Sequence, residues 1–316
     1  MRTAFVQCLL ELAEQDRRVF LLTADLGWSA LEVFAQRFPR QFLNVGVAEQ
    51  NLVGIATGLA KVGYVPFAYS IATFVSMRCY EQFRDGPVLH RLPVRLVGMG
   101  GGFSYGHAGP THFGMEDLAL ARLQPGALAL APADAAQARS VLRALVRHPG
   151  PAYLRLDKSD EPDVPGLGGR FALDTPELVR PGRDLIFVSA GSITRAVVAA
   201  AERLQGAGVS AAVAVLAHLG FRGGPALVEL LRPFRHVVSV EEAFTAGGLG
   251  SLAAEVLAEH LPGGRLLRLG MAGPFDGVTG SREYLRRRHG LDAESLARRA
   301  AQFLHEAPCP APPSCP

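Results

Sequence analysis

Apolar residues along this chain follow a helical spacing in some stretches and form short continuous runs in others. Helical periodicity through Phe5, Leu9 and Leu12 ends at Asp16, and residues 19–22 then form an apolar run typical of a buried strand. The alternation predicts further helices from about residue 29, over residues 52–62, through residues 78–83, and over residues 116–123 and 133–147. It predicts further strands that end at residue 47 and cover residues 65–70, 94–99, 128–131 and 152–156.

Helices and strands of these lengths in alternation indicate a parallel sheet with helices on both faces. Prolines and glycines break every candidate element between residues 159 and 183, which indicates a linker. A second alternating unit follows, with predicted strands over residues 185–189, 211–216, 236–240 and 266–269 and helices over residues 193–204, 226–231 and 249–261. Two helices close this unit, over residues 282–288 and 293–305, and Asp292 is an expected N-cap.

The predicted fold class is therefore α/β, with two consecutive parallel-sheet, doubly wound domains. The first domain is predicted over residues 1–160, the linker over 161–183 and the second domain over 184–306. Residues 307–316 are rich in proline and are expected to be disordered. Sheets of this kind bind ligands in the loops beyond the carboxyl ends of their strands. Residues at these ends include Asp25, Ser70, the glycine-rich stretch 100–112 and Lys158.

Composition narrows the classes of function that the chain can have. A chain of 316 residues with 49% hydrophobic and 19% charged residues can bury two ordinary cores. The net charge is only +3, and the arginines are scattered over the helices, so nucleic-acid binding is not predicted. No apolar run reaches the roughly 18–20 residues that span a bilayer, and the start of the chain is unlike a signal peptide. We expect a cytoplasmic protein without a membrane partner, whose four cysteines lack the spacing of a zinc or redox site.

The most informative stretch is residues 44–51, Asn-Val-Gly-Val-Ala-Glu-Gln-Asn, at the junction of a strand and a helix. Glu49 falls on the first turn of a helix that is otherwise nearly free of charge and contains small residues at Gly54, Ala56, Gly58 and Ala60. The helix dipole favours a carboxylate there, but a buried carboxylate must find a partner or take up a proton. The alternative is a glutamate that caps its own helix.

Further motifs along the chain extend the pattern that begins with residues 44–51. Together with Pro66-Phe67, Phe74 and residues 106–112, Gly-His-Ala-Gly-Pro-Thr-His, it resembles the pyrimidine-binding half of the transketolase family of thiamine-diphosphate enzymes. The order and spacing of the segments continue to the last helix, so the resemblance covers nearly the whole chain. The chain is similar to the separately encoded C-terminal subunit of a split transketolase.

The resemblance implies roles in coenzyme binding for a small set of residues. Glu49 would hydrogen-bond the pyrimidine ring nitrogen of thiamine diphosphate and support the tautomer that removes the thiazolium proton. An apolar pocket would let its carboxyl group share a proton with that weakly basic nitrogen. Phe74 would stack on the pyrimidine, although a core role is compatible with that. Ile71 and Met77 replace neighbouring aromatic residues of the family, so the pocket is expected to be aliphatic on one side.

The resemblance also implies substrate contacts. His112 follows Gly109-Pro110-Thr111, a restricted turn that would aim its imidazole into the cleft, where the family histidine hydrogen-bonds an oxygen of the donor. A surface or core histidine is the alternative. His107 has no counterpart in the family pattern and is either a polar contact or solvated.

Several departures from the family pattern concern the substrate. Ala108 stands where the family has an acid, and residues 98–102 lack the basic residue that helps to hold an acceptor phosphate. Lys158 stands near the position of a phosphate-gripping arginine, and lysine offers a point charge in place of a bidentate fork. Further substrate-contact candidates are Arg2, Ser29 and Asp25. Our hypothesis is that the acceptor is an unphosphorylated or unusual aldehyde.

One absence from the sequence predicts a partner. The family holds the coenzyme's diphosphate and its magnesium or calcium ion with a Gly-Asp-Gly followed by an asparagine. No Gly-Asp-Gly occurs in these 316 residues. We therefore predict that an N-terminal transketolase subunit binds the diphosphate and the metal, in an α2β2 assembly with active sites between the chains.

Competing interpretations remain open at this point. The leading one is a transketolase-type subunit that moves a two-carbon ketol unit from a ketose to an aldehyde. The close alternative is the beta subunit of a 2-oxoacid dehydrogenase or a deoxyxylulose-phosphate-synthase-like acyl transferase, and a more distant one is a non-catalytic assembly subunit. The stretch 247–250 after Glu241 and Glu242 could suggest a nucleotide turn or an acid pair, but we expect a structural or interface role there.

Overall fold

The computed structural model describes residues 1–158, 161–220 and 224–306, so the predicted Pro-rich tail lies outside the described residues. The first sheet is wholly parallel, with the strand order β2-β1-β3-β4-β6-β5. Its strands are β1 (Val19–Thr23), β2 (Phe42–Asn44), β3 (Val65–Ile71), β4 (Arg95–Met99), β5 (Leu128–Leu130) and β6 (Ala152–Leu156). Its helices are α1 (Arg2–Gln15), α2 (Glu32–Arg37), α3 (Glu49–Lys61), α4 (Tyr80–Phe83), α5 (Asp117–Arg122) and α6 (Ala135–Arg147).

The second sheet has the order β11-β10-β8-β9-β7 and is parallel except at β7. Its strands are β7 (Glu177–Arg180), β8 (Leu185–Ser189), β9 (Ala211–Val215), β10 (His236–Phe244) and β11 (Arg265–Met271). Its helices are α7 (Thr194–Gly206), α8 (Pro225–Leu231), α9 (Leu249–His260), α10 (Arg282–Arg288) and α11 (Ala293–His305). Every residue of β3, β4 and β6 is buried, as expected where helices cover both faces of a sheet. The predicted α/β fold class with two wound sheets is confirmed.

Four local predictions were wrong. The predicted linker contains β7, an antiparallel edge strand between Pro176 and Pro181, and an edge strand tolerates flanking prolines. The second strand ends at Asn44, not at residue 47. The helix predicted from about residue 29, which precedes this strand, starts at Glu32, because Ser29 adopts a left-handed backbone with φ of 61°. Residues 74–88 do not form one α-helix, since π-helical turns over Phe74–Arg78 and Arg84–Val88 flank α4.

The prediction for Asp292 is confirmed. It caps α11, accepting hydrogen bonds from the Glu294 and Ser295 amides.

The two sheets are joined by backbone hydrogen bonds and by a shared apolar core. The Ala131 amide donates to the Ala217 carbonyl at 2.8 Å, and the Leu219 amide donates to the Ala129 carbonyl at 2.9 Å. One apolar cluster contains these alanines of the first half together with Leu216 and Leu219 of the second. The halves therefore pack as one body along the edge that β5 provides.

A second junction consists of four buried charged side chains and one hydroxyl that bonds them. We call this group the interdomain ion cluster, and its members are Asp157, Ser192, Glu242, Arg282 and Arg286. Arg282 donates to both oxygens of Glu242, at 3.0 and 2.9 Å, and also to Asp157 and to Ser192. Arg286 donates to Glu242 at 2.6 Å. Burial opposes the charged form of Glu242, but the two arginines outweigh burial and lower its pKa to about 2. The pKa of Asp157 is also lowered, with Arg282 and hydroxyl donors overcoming its burial.

No helix in the described ranges is both long enough and apolar enough to cross a bilayer.

Candidate active site

Glu49 is the first residue of α3, and its carboxylate is turned toward other elements. Its side chain is 1% exposed, and its Oε1 accepts a hydrogen bond from the Ser70 hydroxyl at 3.0 Å. Its Oε2 accepts from Nη1 of Arg78 at 2.6 Å. The helix N-cap, Ala48, makes no side-chain capping bond. Both carboxylate oxygens therefore bond other elements, and Glu49 does not cap its own helix. Its buried charge is paired with Arg78, as a buried charge requires.

The elements around Glu49 explain why these groups meet. Ser70 is fully buried near the carboxyl end of β3, so its hydroxyl has a fixed position beside α3. Arg78 ends the π-helical turn that follows the strand, and its side chain is 46% exposed. Glu49 thus has one rigid, buried donor and one donor that reaches in from the protein surface.

Three rings line the space next to this carboxylate, and we call them the aromatic row: Phe74, His112 and Tyr105. The Phe74 and His112 ring centroids are 5.1 Å apart at an interplanar angle of 64°. The His112 and Tyr105 centroids are 6.0 Å apart. A cation covers each end, with the Arg78 Cζ 4.5 Å from the Phe74 centroid and the Lys158 Nζ 4.8 Å from the Tyr105 centroid. The structure therefore links Glu49, Phe74, His112 and Lys158 in one chain of contacts, through Arg78 at one end and Tyr105 at the other.

The positive charge of Arg2 also acts at this end of the row. Burial raises the pKa of the Tyr105 hydroxyl, and Arg2 counteracts part of that rise. The charge of Arg2 therefore acts on the Tyr105 hydroxyl, at the end of the row that Lys158 covers.

The loop that holds His112 is closed at its base by two backbone bonds between Gly102 and Gly114, at 2.9 and 3.0 Å. Gly109 has φ of 82°, a left-handed backbone that strains other residues, so the turn into Pro110 needs glycine. The Thr111 hydroxyl lies 2.9 Å from Nδ1 of His112. These constraints fix the imidazole edge-on against Phe74, which is the restricted turn that the sequence predicted.

The remaining candidates lie outside this contact network. Asp25 exchanges two hydrogen bonds with Asn44, at 3.0 and 2.9 Å, and both border a cavity of about 160 Å³ beside Trp28. The Ser29 amide donates to Glu32, and His107 is exposed on the turn before Gly109.

Two predicted pocket residues take unequal positions. Ile71 is buried at the end of β3, while Met77 is 41% exposed. The side chain that covers Phe74 is that of Arg78, the residue after Met77. The wall beside this ring is therefore cationic where the sequence suggested an aliphatic one.

Sequence reasoning assigned no role to three residues of this contact network: Arg78, Tyr105 and Ser70, of which Ser70 was placed only at a strand end. The signal for Arg78 was its spacing of four residues from Phe74, which places two side chains on one face of a helix. The signal for Ser70 was its position at the carboxyl end of a buried strand. Tyr105 had no local signal, because the fold of the long loop sets its place.

The two acids of β10 have structural partners, as expected from the sequence. Glu241 accepts hydrogen bonds from the Leu249 and Gly250 amides at the start of α9, at 2.9 and 2.8 Å. Burial raises its pKa to about 7, although these amides favour the charged form. The helix terminus that could have bound a nucleotide phosphate is thus occupied by a side chain of the protein itself.

A metal site is not formed by the part of the chain that the structure describes, where no three His, Cys, Asp or Glu side chains converge on one position. Two buried hydroxyls, Thr73 Oγ1 and Ser76 Oγ, have no hydrogen-bond partner within the described residues. They flank Phe74 in the chain, and a buried hydroxyl is costly unless a ligand or water satisfies it.

Comparisons with known proteins give a consistent result. Residues 1–162 match the model of the transketolase pyrimidine-binding domain, and residues 175–296 match the transketolase C-terminal domain. A 6-deoxy-6-sulfo-D-fructose transketolase subunit from Clostridium sp. (strain MSTE9) is 35% identical, over 95% of this chain and 93% of that protein. A solved split-gene transketolase, described as an inactive β4 tetramer, is 34% identical with a TM-score of 0.85, over 96% of this chain and 97% of that one.

A related enzyme with a different reaction also matches. The 1-deoxy-D-xylulose-5-phosphate synthase of Syntrophotalea carbinolica is 32% identical over 95% of this chain, but the match spans 48% of that protein. The subunits of split enzymes match along almost their whole length, whereas the synthase matches along half.

Proposed function

This chain belongs to the transketolase family of thiamine-diphosphate enzymes, as a subunit of the split type, and from that premise we propose that it supplies Glu49 and the pyrimidine pocket of a ketol-transferring enzyme. The assembled enzyme would move a two-carbon ketol unit from a ketose donor to an aldehyde acceptor. The observation on which this rests is the buried Glu49 carboxylate beside the ring of Phe74, at the carboxyl end of β3.

The residues present fit the coenzyme's pyrimidine ring. A planar aromatic ring needs a stacking partner and a carboxylate at its edge, and Phe74 and Glu49 provide both within one cleft. When bound, thiamine diphosphate supplies the carbon nucleophile that ketol transfer requires.

Glu49 is assigned the role of holding the proton that is shared with the pyrimidine nitrogen. Its burial excludes water that would compete for that proton, and Ser70 fixes its Oε1. A carboxylate that is oriented by a buried donor loses little freedom when the coenzyme binds.

His112, Tyr105 and Lys158 are assigned to the substrate side. The imidazole of His112 stands edge-on to Phe74, where it can donate to an oxygen of the donor sugar. Lys158 places a single point charge at the far end of the aromatic row, where the end of the substrate would lie, and Arg2 stays a candidate for a further contact there. Asp25, Ser29 and His107 stay candidates for outer contacts.

The diphosphate and its Mg²⁺ or Ca²⁺ are assigned to a partner. Family membership together with the missing Gly-Asp-Gly supports an N-terminal transketolase subunit in an α2β2 assembly. The metal would bind hard oxygen ligands of that partner and of the coenzyme.

Dependence on the partner is our first testable prediction. The purified chain is expected to show no heat of thiamine-diphosphate binding in Mg²⁺ buffer, because the diphosphate contributes much of the binding free energy. Mixing the chain with the Gly-Asp-Gly subunit is expected to produce both binding and ketol transfer. Coenzyme binding and turnover by the chain alone would contradict the division of the site.

The match to a deoxyxylulose-phosphate synthase favours one alternative, a subunit that decarboxylates a 2-oxoacid donor. Supplying the assembled complex with pyruvate or with a ketose separates the two reactions. Release of carbon dioxide from pyruvate would support the alternative, and its absence together with transfer from the ketose would support the transketolase assignment.

Our second prediction concerns the phosphate group of the acceptor. Because Lys158 contacts Tyr105 and replaces a bidentate arginine, we expect the enzyme to bind an acceptor phosphate weakly. The values of kcat/KM for phosphorylated and dephosphorylated forms of one acceptor sugar should then agree within about tenfold, which is about 1.4 kcal/mol. A strict requirement for the phosphate would contradict the hypothesis of an unphosphorylated or unusual acceptor.

A further inference from the structure

Arg78 makes, within this chain, the two contacts that the proposed function assigns to the coenzyme's pyrimidine ring. Its Nη1 donates to Oε2 of Glu49 at 2.6 Å, and its Cζ lies 4.5 Å from the centroid of the Phe74 ring. A pyrimidine that stacked on this face of Phe74 while it bonded this carboxylate oxygen would need the volume that the guanidinium fills.

The chemistry of the two groups is alike. A guanidinium is planar and delocalised, stacks on aromatic faces and donates N–H bonds to carboxylates. A protonated aminopyrimidine shares each of these properties. The same two acceptor surfaces, the ring face of Phe74 and the Oε2 of Glu49, can therefore bind either group but not both.

We propose that Arg78 is a placeholder for the coenzyme: it occupies the pyrimidine position while the coenzyme is absent and swings outward when the coenzyme binds. This inference rests on the proposed function. It explains why a carboxylate that is 1% exposed is tolerated before any ligand arrives, since a buried charge without a partner is strongly destabilising.

The surroundings of Arg78 permit such a movement. Its side chain is 46% exposed, so the guanidinium can exchange Glu49 for water, whereas Ser70, the other donor, is fully buried and stays in place. Arg78 also ends a π-helical turn, a winding that is frequent at functional sites. Glu49 keeps one fixed hydrogen bond in both states and exchanges the other.

The Kd for thiamine diphosphate reports how often Arg78 occupies the pyrimidine position. If Arg78 occupies the position in about nine of ten molecules, the apparent Kd for thiamine diphosphate is about tenfold above the intrinsic one. In the assembled two-subunit complex, Arg78→Ala is therefore expected to lower the calorimetric Kd about tenfold at fixed Mg²⁺. Arg78→Gln, which keeps an N–H donor for Glu49 without the charge, is expected to lower it as well and serves if the alanine variant does not fold.

Two controls isolate the effect. Arg84→Ala removes a surface arginine from the neighbouring π-helical turn, where it pairs with the exposed Asp85, and should leave the Kd unchanged. Methylguanidinium at millimolar concentration should raise the Kd of the Arg78→Ala complex by refilling the position, and should not affect the wild type beyond an equal concentration of NaCl.

The outcomes separate this inference from the proposed function. If the wild-type complex binds the coenzyme and both Arg78 variants bind it equally or more weakly, the placeholder is refuted and the proposed function stands. If the wild-type complex binds no thiamine diphosphate, the proposed function fails and the placeholder fails with it.

Discussion

Replacing Glu49 with glutamine is expected to lower the kcat of the assembled complex by about 10²–10⁴-fold, the usual size of a general acid–base contribution. The amide has nearly the same shape: its oxygen can accept from Arg78, and its NH2 group can donate to the Ser70 hydroxyl, which then acts as acceptor, so the fold should persist. It cannot share a proton with a ring nitrogen as a carboxylate does. Steady-state rates of ketol transfer, measured with the coenzyme at saturation, test this.

The matched control is Glu81→Gln. Glu81 is an exposed glutamate on α4, three residues after Arg78 in the sequence. Its rate should equal that of the wild type. Full activity in the Glu49→Gln complex would remove the catalytic assignment and favour the alternative of a non-catalytic assembly subunit. Equal losses in both variants would indicate a general effect of charge instead of a specific role.

The second large effect is expected from Arg282→Met in the interdomain ion cluster. Arg282 contacts Asp157, Ser192 and Glu242, all buried, so removing it takes a cationic partner from both carboxylates, of which Glu242 keeps Arg286. Breaking a buried ion pair by removing one partner typically costs about 3–5 kcal/mol. The free energy of unfolding at pH 7, measured by denaturant titration of the chain, should fall by an amount in that range.

Arg288→Met is the control from the same helix, because its ion pair with Asp276 is exposed and should contribute little. The effect of pH gives a second check. The pKa of Glu242 is depressed to about 2, so its contribution is complete above the unfolded pKa near 4.5 and is lost as the pH falls toward 2. The wild type and the Arg282→Met variant should therefore converge in stability over that acidic range. A constant difference would contradict the assigned role of Glu242.

Sequence reasoning located the central acid and the wound sheets because both leave local signals. Glu49 begins a helix that is otherwise nearly free of charge, and the strands are continuous apolar runs. The edge strand β7 was missed because its flanking prolines resemble a linker, and the π-helical winding after Phe74 was missed because it gives no distinct pattern. Tyr105 contacts Lys158, 53 positions away in the chain, and a contact over that distance cannot be predicted from a short stretch of sequence.

The glycine-rich loop has an unexpected source of rigidity, since several of its anchors belong to the second sheet and its helices. The Phe103 amide donates to Glu242 at 2.8 Å, the Gly280 amide donates to the Gly106 carbonyl at 3.2 Å, and the Phe244 amide donates to the Met115 carbonyl at 3.2 Å. The half of the chain without a candidate catalytic side chain thus shapes the segment that presents His112. Recombination between relatives at the boundary of the two halves would exchange these anchors, so a chimaera could inherit every catalytic side chain of one parent and still present them with the loop geometry of the other.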